Sequence, residues 1–537
     1  MVRTRFAPSP TGYLHIGGVR TALYNWLFSR QHGGRFILRI DDTDAERNVE
    51  RALEPILHGF RWLGIDWDEG PEAGGDAGPY FQSQRQELYR AAVDELIARG
   101  AAYRDYALPE ELEIERQQAR DAGVQFVYSR RWAAHSEADE KRFEGEGRRR
   151  VVRLRMPRRG FCRFNDRVRG DVEFEWAREQ DHVIQRPDGS CLYHLASAVD
   201  DHEMGITHVI RAEEHLSNTP RHIFIAESLG YPLPEYAHLP YVAEPGSKTK
   251  LSKRKLQKYL KNPDFAERHA HARAIAGRLG LETAAETFNP VIVDFYEQVG
   301  YLPEALLNYL LLLGWALDDK TEIFSREEMV ARFSLERVQK SPASFDPRKL
   351  WAFQDRYMQT LTVEERSARV LPFLAAAGIV ESPPAAGELE TTRAIVAAAG
   401  DRIKAAGDVL DYTDFFVDDE RLDYDAKAFD KRLVRASGAL DHLAAIRDRL
   451  TAADDFSDDG MESLVRGYIE DREIALGQVV HALRIALTGK PVGFGLFETM
   501  AILGRDSCLA RIDRAVDRAR ARKDEAGADG EREHGAT

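Results

Sequence analysis

Two short segments of this 537-residue chain carry residues suited to handling phosphate. The first is Pro8-Ser9-Pro10-Thr11-Gly12-Tyr13-Leu14-His15-Ile16-Gly17-Gly18. Its glycines let backbone N–H groups approach a phosphate closely, and a helix starting there adds unpaired N–H groups and the positive end of its dipole. His15 can donate to a phosphate oxygen whose charge grows in a transition state. The second is Lys248-Thr249-Lys250-Leu251-Ser252-Lys253-Arg254, which follows Pro245-Gly246 and so reads as a mobile loop. A lysine on a closing loop can neutralise pyrophosphate. Taken singly, the first is also a Gly/Pro-rich turn with a surface histidine, and the second a solvated lysine cluster. In this order, with room for a domain between them, they point to ATP-dependent activation of a carboxylate.

The elements around these segments alternate between strand and helix. Residues 4–7 form a short strand that Pro8 ends. Residues 19–30 place Ala22, Leu23, Trp26 and Leu27 at helical spacing, Gly33-Gly34 stops them, and 35–40 alternate as a strand. This βαβ unit implies a parallel sheet with its site at the carboxyl ends of the strands. From Tyr103 to about Gln185 the pattern becomes α+β, with a charged helix opening at 108–112 and strands at 151–155 and 172–174. The earlier rhythm returns at 192–198, a strand at 207–211, a loop at 212–218 and a helix at 221–229. Beyond Leu256 the chain reads as helical, with segments at 302–315, 361–377, 391–410, 433–450 and 461–487. From Lys523 no apolar residue is available for burial, which predicts disorder.

The length predicts roughly three to five domains. No apolar run approaches the ~20 residues of a membrane span, and the N-terminus carries no signal core. Cys162, Cys191 and Cys508 are widely spaced and form no disulfide framework, so a reducing cytoplasm is expected. The net charge of −14 opposes non-specific nucleic-acid binding, but local patches decide it. Arg148, Arg149, Arg150, Arg153, Arg155, Arg158 and Arg159 form one such patch, and residues 248–261 another, a pattern compatible with tRNA. Asp200-Asp201-His202 invites a metal reading, but consecutive helical residues point in different directions, so a structural role is expected.

Further stretches accompany the two loops: Phe6-Ala7-Pro8-Ser9-Pro10-Thr11-Gly12, Arg39-Ile40-Asp41-Asp42-Thr43-Asp44, Tyr193-His194-Leu195-Ala196, Val209-Ile210-Arg211-Ala212-Glu213-Glu214, and Phe494-Gly495-Leu496-Phe497-Glu498. With these, the chain resembles the class I aminoacyl-tRNA synthetases, and among them the bacterial-type glutamyl-tRNA synthetases. The first loop is similar to the HIGH signature in its glutamyl form, Gly18 replacing the last histidine; the lysine-rich loop resembles KMSKS. The resemblance covers nearly the whole chain. It implies an α/β fold: a Rossmann-type doubly wound catalytic domain (1–103 and 191–242) with an α+β insertion that binds the acceptor stem (104–190). A stem-contact domain (243–362), an all-α anticodon-binding half (363–522) and a disordered tail (523–537) would follow.

The same resemblance implies roles. Arg5 and Arg211 would hold the carboxylates of L-glutamate, which suits a guanidinium fork. Tyr193 and Ser197 would line that pocket, and Ser9 with Asp41 would meet the amino group. His15, Gly17, Gly18, Glu214 and Lys253 would bind ATP, with His15, Lys250 and Lys253 as the catalytic groups. Arg47 and Arg402 would contact tRNA. Mg2+ is expected with ATP, held by phosphates and water rather than by protein ligands. No zinc is expected, because the insertion has only Cys162. The implied reaction joins glutamate to ATP as glutamyl-adenylate and then transfers it to the 3′ end of tRNA(Glu). The implied enzyme is a monomer with no membrane partner.

The chain also departs from the family. Asp41 stands where glutamate is common, and Ser197 where asparagine is frequent. A segment near 256–293 is longer than usual and reads as a decorative helical hairpin, or, through Lys258, Lys261, Arg268, Arg273 and Arg278, as a tRNA contact. An enzyme glutamylating a modified tRNA base would lack the helical half, and a glutaminyl enzyme would carry β-barrels there. A non-catalytic tRNA-binding paralogue is opposed by intact Arg5, His15, Arg211 and Lys253. Charging of tRNA(Gln) as well as tRNA(Glu) stays open; an arginine in the helical half accompanies the strict kind, and Arg402 is the candidate.

Overall fold

The computed structural model describes residues 1–10, 12–43 and 49–534. Two compact units are present: Met1–His269 with Ala284–Glu297 and Pro303–Phe353, and Ala270–Thr283 with Gln298–Leu302 and the chain from Gln354 onward.

In the first unit, β1 (Arg3–Phe6), α1 (Ile16–Gln31) and β2 (Arg35–Leu38) form a parallel unit in the register Arg3↔Arg35 to Phe6↔Leu38. α1 buries residues around most of its circumference, including Val19, Tyr24, Asn25 and Leu27, so it is a core helix rather than a surface one. α2 (Val49–Leu63), α3 (Gln86–Ala98) and β3 (Ala102–Asp105) follow. Next come α4 (Pro109–Asp121), α5 (Glu137–Gly145), β4 (Val151–Leu154), β5 (Phe161–Asp166), β6 (Gly170–Glu175) and β7 (Val183–Gln185). The chain returns through α6 (Tyr193–Glu203), β8 (His208–Ala212), α7 (Thr219–Leu229) and β9 (Glu235–Leu239).

Strands β6-β5-β9-β8 form one sheet, with β8 and β9 parallel. β8 lies against β1, where the Thr207 N–H donates to the Arg3 carbonyl at 3.0 Å. The chain thus winds from β1 to β2 on one side and resumes at β8 on the other. That is the topology whose switch point opens a crevice at the carboxyl ends of the strands.

The insertion is less self-contained than its boundaries suggest. β3-β4-β7 form a separate antiparallel sheet, but the β5–β6 hairpin extends the sheet of β9 and β8. Phe164 of β5 sits 5.6 Å from Tyr236 of β9, so the hairpin buries an aromatic face there. The segment near 256–293 is not a decorative hairpin. After helices Leu256–Tyr259 and Pro263–Arg278, residues 288–293 run beside the first loop. Ile16 N–H donates to Val291 O and Val293 N–H to Leu14 O, each at 3.0 Å. Phe288, Val291, Ile292 and Val293 are all buried, and apolar residues of that size need a core rather than a surface.

The second unit is helical, built from Val363–Ala376, Ala386–Ala399, Ala439–Thr451, Asp458–Asp471, Leu476–Thr488 and Leu496–His534, the last broken at Gly504 (φ 76). Leu443, Ile446, Val465, Leu483, Met500 and Ile512 share its core. The long helices expected at 391–410, 433–450 and 461–487 are each interrupted. Gly400 (φ 56), Gly438 (φ 72) and Glu473 (φ 53) take left-handed backbone that no α-helix continues through. The tail differs from expectation in the other direction: residues 523–534 carry helical backbone. Its alanines, arginines and glutamates are strong helix formers, and extending an existing helix costs no new nucleation.

Candidate active site

A cleft of about 370 Å3 opens at the carboxyl ends of β1 and β8. Arg5, Ser9, His15, Gly17, Gly18, Asp41, Tyr193, Ser197, Arg211, Glu214 and Lys250 all line it. The fold therefore brings together every residue that the sequence assigns to glutamate or ATP, except Lys253.

His15 is the N-cap of α1, and its Nδ1 accepts the Gly17 N–H at 2.9 Å. A Cβ at position 17 would stand 3.1 Å from that same nitrogen, so glycine is what lets the ring fold over the helix end. Burial, reinforced by Lys250 and Lys253, pulls the imidazole down to about 4. The ring is neutral at pH 7, with Nδ1 used as an acceptor and its proton on Nε2, free to donate into the cleft.

Arg5 sits on β1 and holds Asp201 of α6 through Nε at 3.0 Å and Nη2 at 3.3 Å. Asp201 also accepts from Arg39 at 2.8 Å, and Arg39 Nε donates to Asp41 at 2.8 Å. Burial raises Asp41 to about 6 against the pull of Arg39. The neighbouring Asp200 takes a separate set of donors: Arg85 at 2.6 Å, Gln82 at 2.8 Å and the Tyr89 hydroxyl at 2.8 Å. The paired aspartates are thus structural: Asp200 holds Arg85 and Asp201 holds Arg5, with Arg39 shared between them at 3.8 Å and 2.8 Å.

Arg211, at the end of β8, is held differently. Its Nε donates to His238 Nε2 at 3.1 Å, Nη1 to His222 Nδ1 at 3.2 Å, and Nη2 to Thr219 Oγ1 at 2.9 Å and His215 O at 3.2 Å. Among the described residues no carboxylate pairs with it, although only 5% of the residue is exposed. Burial lowers its pKa below the usual guanidinium range. A buried guanidinium without a counter-charge is costly unless an anion joins it.

The lysine-rich loop is anchored at both ends. Lys250 Nζ is ion-paired with Glu214 across the cleft. Lys253 does not line the cleft; its carbonyl accepts from Asn289 Nδ2 at 2.9 Å, tying the loop to the 288–293 segment. Lys255 and Lys258 are both paired with the buried Glu244, so they brace the loop rather than forming an open basic patch. Likewise Arg148, Arg153 and Arg158 of the insertion are paired with Glu111, Asp105 and Asp181.

In the second unit, Arg402 lines a separate cavity of about 390 Å3 with Arg278, Tyr412, Phe415, Arg484, Lys490 and Phe494. Phe415 and Phe494 are stacked with their centroids 5.3 Å apart. Arginines beside aromatic faces suit unstacked bases. Arg47 lies outside the described residues. No group of three His, Cys, Asp or Glu among the described residues could hold a metal ion, and no helix among them is long and apolar enough to cross a membrane.

Sequence reasoning missed four residues that shape the cleft: Arg39, Asp166, His222 and His238. Arg39 lay within a quoted stretch, two residues from Asp41, a spacing that puts both on one face of an extended chain. The others carried no local signal, because their role depends on what β5, β9 and α7 are packed against.

Residues 1–288 and 287–352 match the catalytic-domain model of the class I tRNA synthetases (E and Q), and residues 366–516 match an anticodon-binding domain. A glutamate–tRNA ligase of Moorella thermoacetica is 42% identical over 515 residues, covering 96% of this chain and 98% of that protein. The chain belongs to the glutamate–tRNA ligase family. Glutamate–tRNA ligase 2 of Rubrobacter xylanophilus is likewise 42% identical, over 96% of this chain and 97% of its own. The crystal structure of a glutamate tRNA ligase from Elizabethkingia meningosepticum, solved with its amino acid, matches with a TM-score of 0.80 and 32% identity, covering 96% and 99%. Asp41 and Ser197 both line the cleft.

Proposed function

We propose that this chain activates L-glutamate with ATP and transfers it to the 3′ end of tRNA(Glu). The observation that carries this reading is the buried, uncompensated guanidinium of Arg211 in the cleft that His15 and Lys250 also line. Such a charge recruits a substrate carboxylate. Arg211 and Arg5 take the two carboxylates of glutamate, while Ser9 and ionised Asp41 take its ammonium group.

The α-carboxylate oxygen of glutamate attacks the α-phosphorus of ATP, and the bond to the bridging oxygen of pyrophosphate breaks. The neutral Nε2–H of His15 donates to an α-phosphate oxygen as its charge grows, with no proton lost from the ring. Lys250 exchanges Glu214 for phosphate oxygens, and Lys253 approaches with the same loop. Mg2+ entering with ATP would neutralise phosphate charge, held by phosphate and water rather than by protein ligands. A terminal ribose hydroxyl of tRNA then attacks the acyl carbon; its proton leaves with AMP as the leaving group. No side chain is acylated.

The test is ATP–pyrophosphate exchange with glutamate and tRNA(Glu), followed by charging. Exchange that depends on glutamate is expected, and its absence overturns the reading. We further propose that the enzyme is strict for tRNA(Glu), with Arg402 reading the anticodon in the basic, aromatic cavity of the helical unit. Efficient glutamylation of tRNA(Gln) by the unaltered enzyme would sink strictness.

A further inference from the structure

The two arginines that face the cleft differ in one respect. Arg5 is paired with Asp201, so much of its charge is already matched. Arg211 is surrounded by acceptors that carry no charge. His238 is its cross-strand neighbour in the β8–β9 register, and Asp166 stands behind His238. Asp166 Oδ2 lies 2.6 Å from His238 Nδ1, and the carboxylate also accepts backbone N–H groups from Val168 at 3.0 Å and Arg169 at 2.8 Å. That arrangement commits the His238 proton to Nδ1 and turns Nε2 toward Arg211 as an acceptor. On the other side, His222 Nδ1 accepts from Arg211, which leaves the Nε2–H of His222 facing His194 Nδ1 at 3.3 Å. Thr219 completes the ring with its hydroxyl oxygen.

We propose that His222 and His238 are positioning residues that hold Arg211 through neutral acceptors, leaving its positive charge for the substrate's side-chain carboxylate and so setting the preference for glutamate over glutamine. This rests on the reading of Arg211 as a carboxylate anchor. A guanidinium fixed by carboxylates would be equally well oriented, but its charge would already be cancelled. It would then gain little from an anionic side chain over a neutral amide. Burial keeps His222 well below 6.5 and His238 at about 4, so both stay uncharged at neutral pH. The outer Asp166 is itself saturated by backbone donors, which leaves it no reach toward the guanidinium.

The experiment compares His222→Asp with His222→Asn in ATP–pyrophosphate exchange with tRNA(Glu) present, with glutamate and with glutamine. Asn keeps an acceptor close to where Nδ1 stands, whereas Asp adds the cancelling charge in nearly the same volume. For H222D the ratio of kcat/KM for glutamate over glutamine falls by about tenfold or more, through a raised glutamate KM. H222N keeps that ratio within about threefold, and the KM for ATP stays within about twofold in both. An unchanged ratio in H222D, or equal damage in H222N and H222D, overturns the proposal. His238→Gln against His238→Glu asks the same question and decides it if H222D does not fold. Arg211→Gln separates the two levels. If it leaves the glutamate KM unchanged, the anchor reading itself fails; if it raises that KM while H222D and H238E keep the ratio intact, only the cradle fails.

Discussion

Asp41 brings a pH dependence to the glutamate pocket that a freely hydrated carboxylate would not. Its carboxyl is lifted to about 6 by burial, and it attracts the substrate ammonium only when ionised. As pH falls through 6 the carboxyl takes up a proton and that attraction goes. The kcat/KM for glutamate is therefore expected to fall by up to about tenfold per pH unit below 6 at saturating ATP. Asp41→Asn removes the inflection and stays low throughout; an inflection that survives in this variant assigns it to another group. His15 adds no limb in this range, because its pKa is held at about 4. Its contribution is read instead from His15→Ala, which lowers the exchange kcat by about 10²–10³-fold with little change in the glutamate KM.

At the level of elements, α6 and the 288–293 segment fix the two halves of the cleft. α6 presents Asp200 chiefly to Arg85 and Asp201 to Arg5, with the buried Arg39 between them. Removing either charge strands a buried guanidinium, so Asp200→Asn and Asp201→Asn are each expected to destabilise the first unit by about 3 kcal/mol in denaturant unfolding. They part in kinetics. Asp201 holds Arg5 and Arg39, so D201N raises the glutamate KM, while D200N leaves it within about threefold. Equal KM effects would show that the two aspartates act as one cluster. The 288–293 segment pairs with the first loop and, through Asn289, with the lysine-rich one. Asn289→Ala frees the Lys253 carbonyl and is expected to raise the KM for ATP by about three- to tenfold with no effect on that for glutamate, as steady-state exchange would show.

Over the whole molecule, the histidines held neutral are concentrated in the first unit. Burial takes His15, His182, His215 and His238 to about 4 and His194 to about 3, and holds His222 well below its ordinary value. In the unfolded chain each protonates near its ordinary 6.5. The unfolded state then binds more protons between pH 6.5 and about 4, and stability is lost as pH falls through that window. The raised carboxyls of Asp41, Glu179 and Asp294 oppose the trend but are fewer than the lowered histidines. In the second unit His481 is shifted the same way, but it stands near the surface. Calorimetry at pH 7 and pH 5 is expected to move the first unit's transition down by about 5 °C or more, and the second unit's by less. Transitions that shift in parallel would refute the histidine origin.

The sequence by itself determined the chemistry of the two loops, the βαβ unit, the helical second unit and the family. Those features are written in local patterns: glycines beside a histidine, lysines after Pro-Gly, apolar residues at helical spacing. It also placed Arg5, Asp41, Tyr193 and Arg211 in stretches that the fold gathers into one cleft. Helix interruptions at Gly400, Gly438 and Glu473 were not legible as such, because glycine and glutamate also occur inside helices and take left-handed backbone only where the packing of the flanking helices turns the chain. Only the tertiary structure decided which charges are matched. Asp201 cancels Arg5 because α6 packs over β1, and His238 meets Arg211 because β8 and β9 pair in one register. Sequence lists the charges, but electrostatic energy depends on distance and burial, and those are fixed only when strands distant in the chain become neighbours.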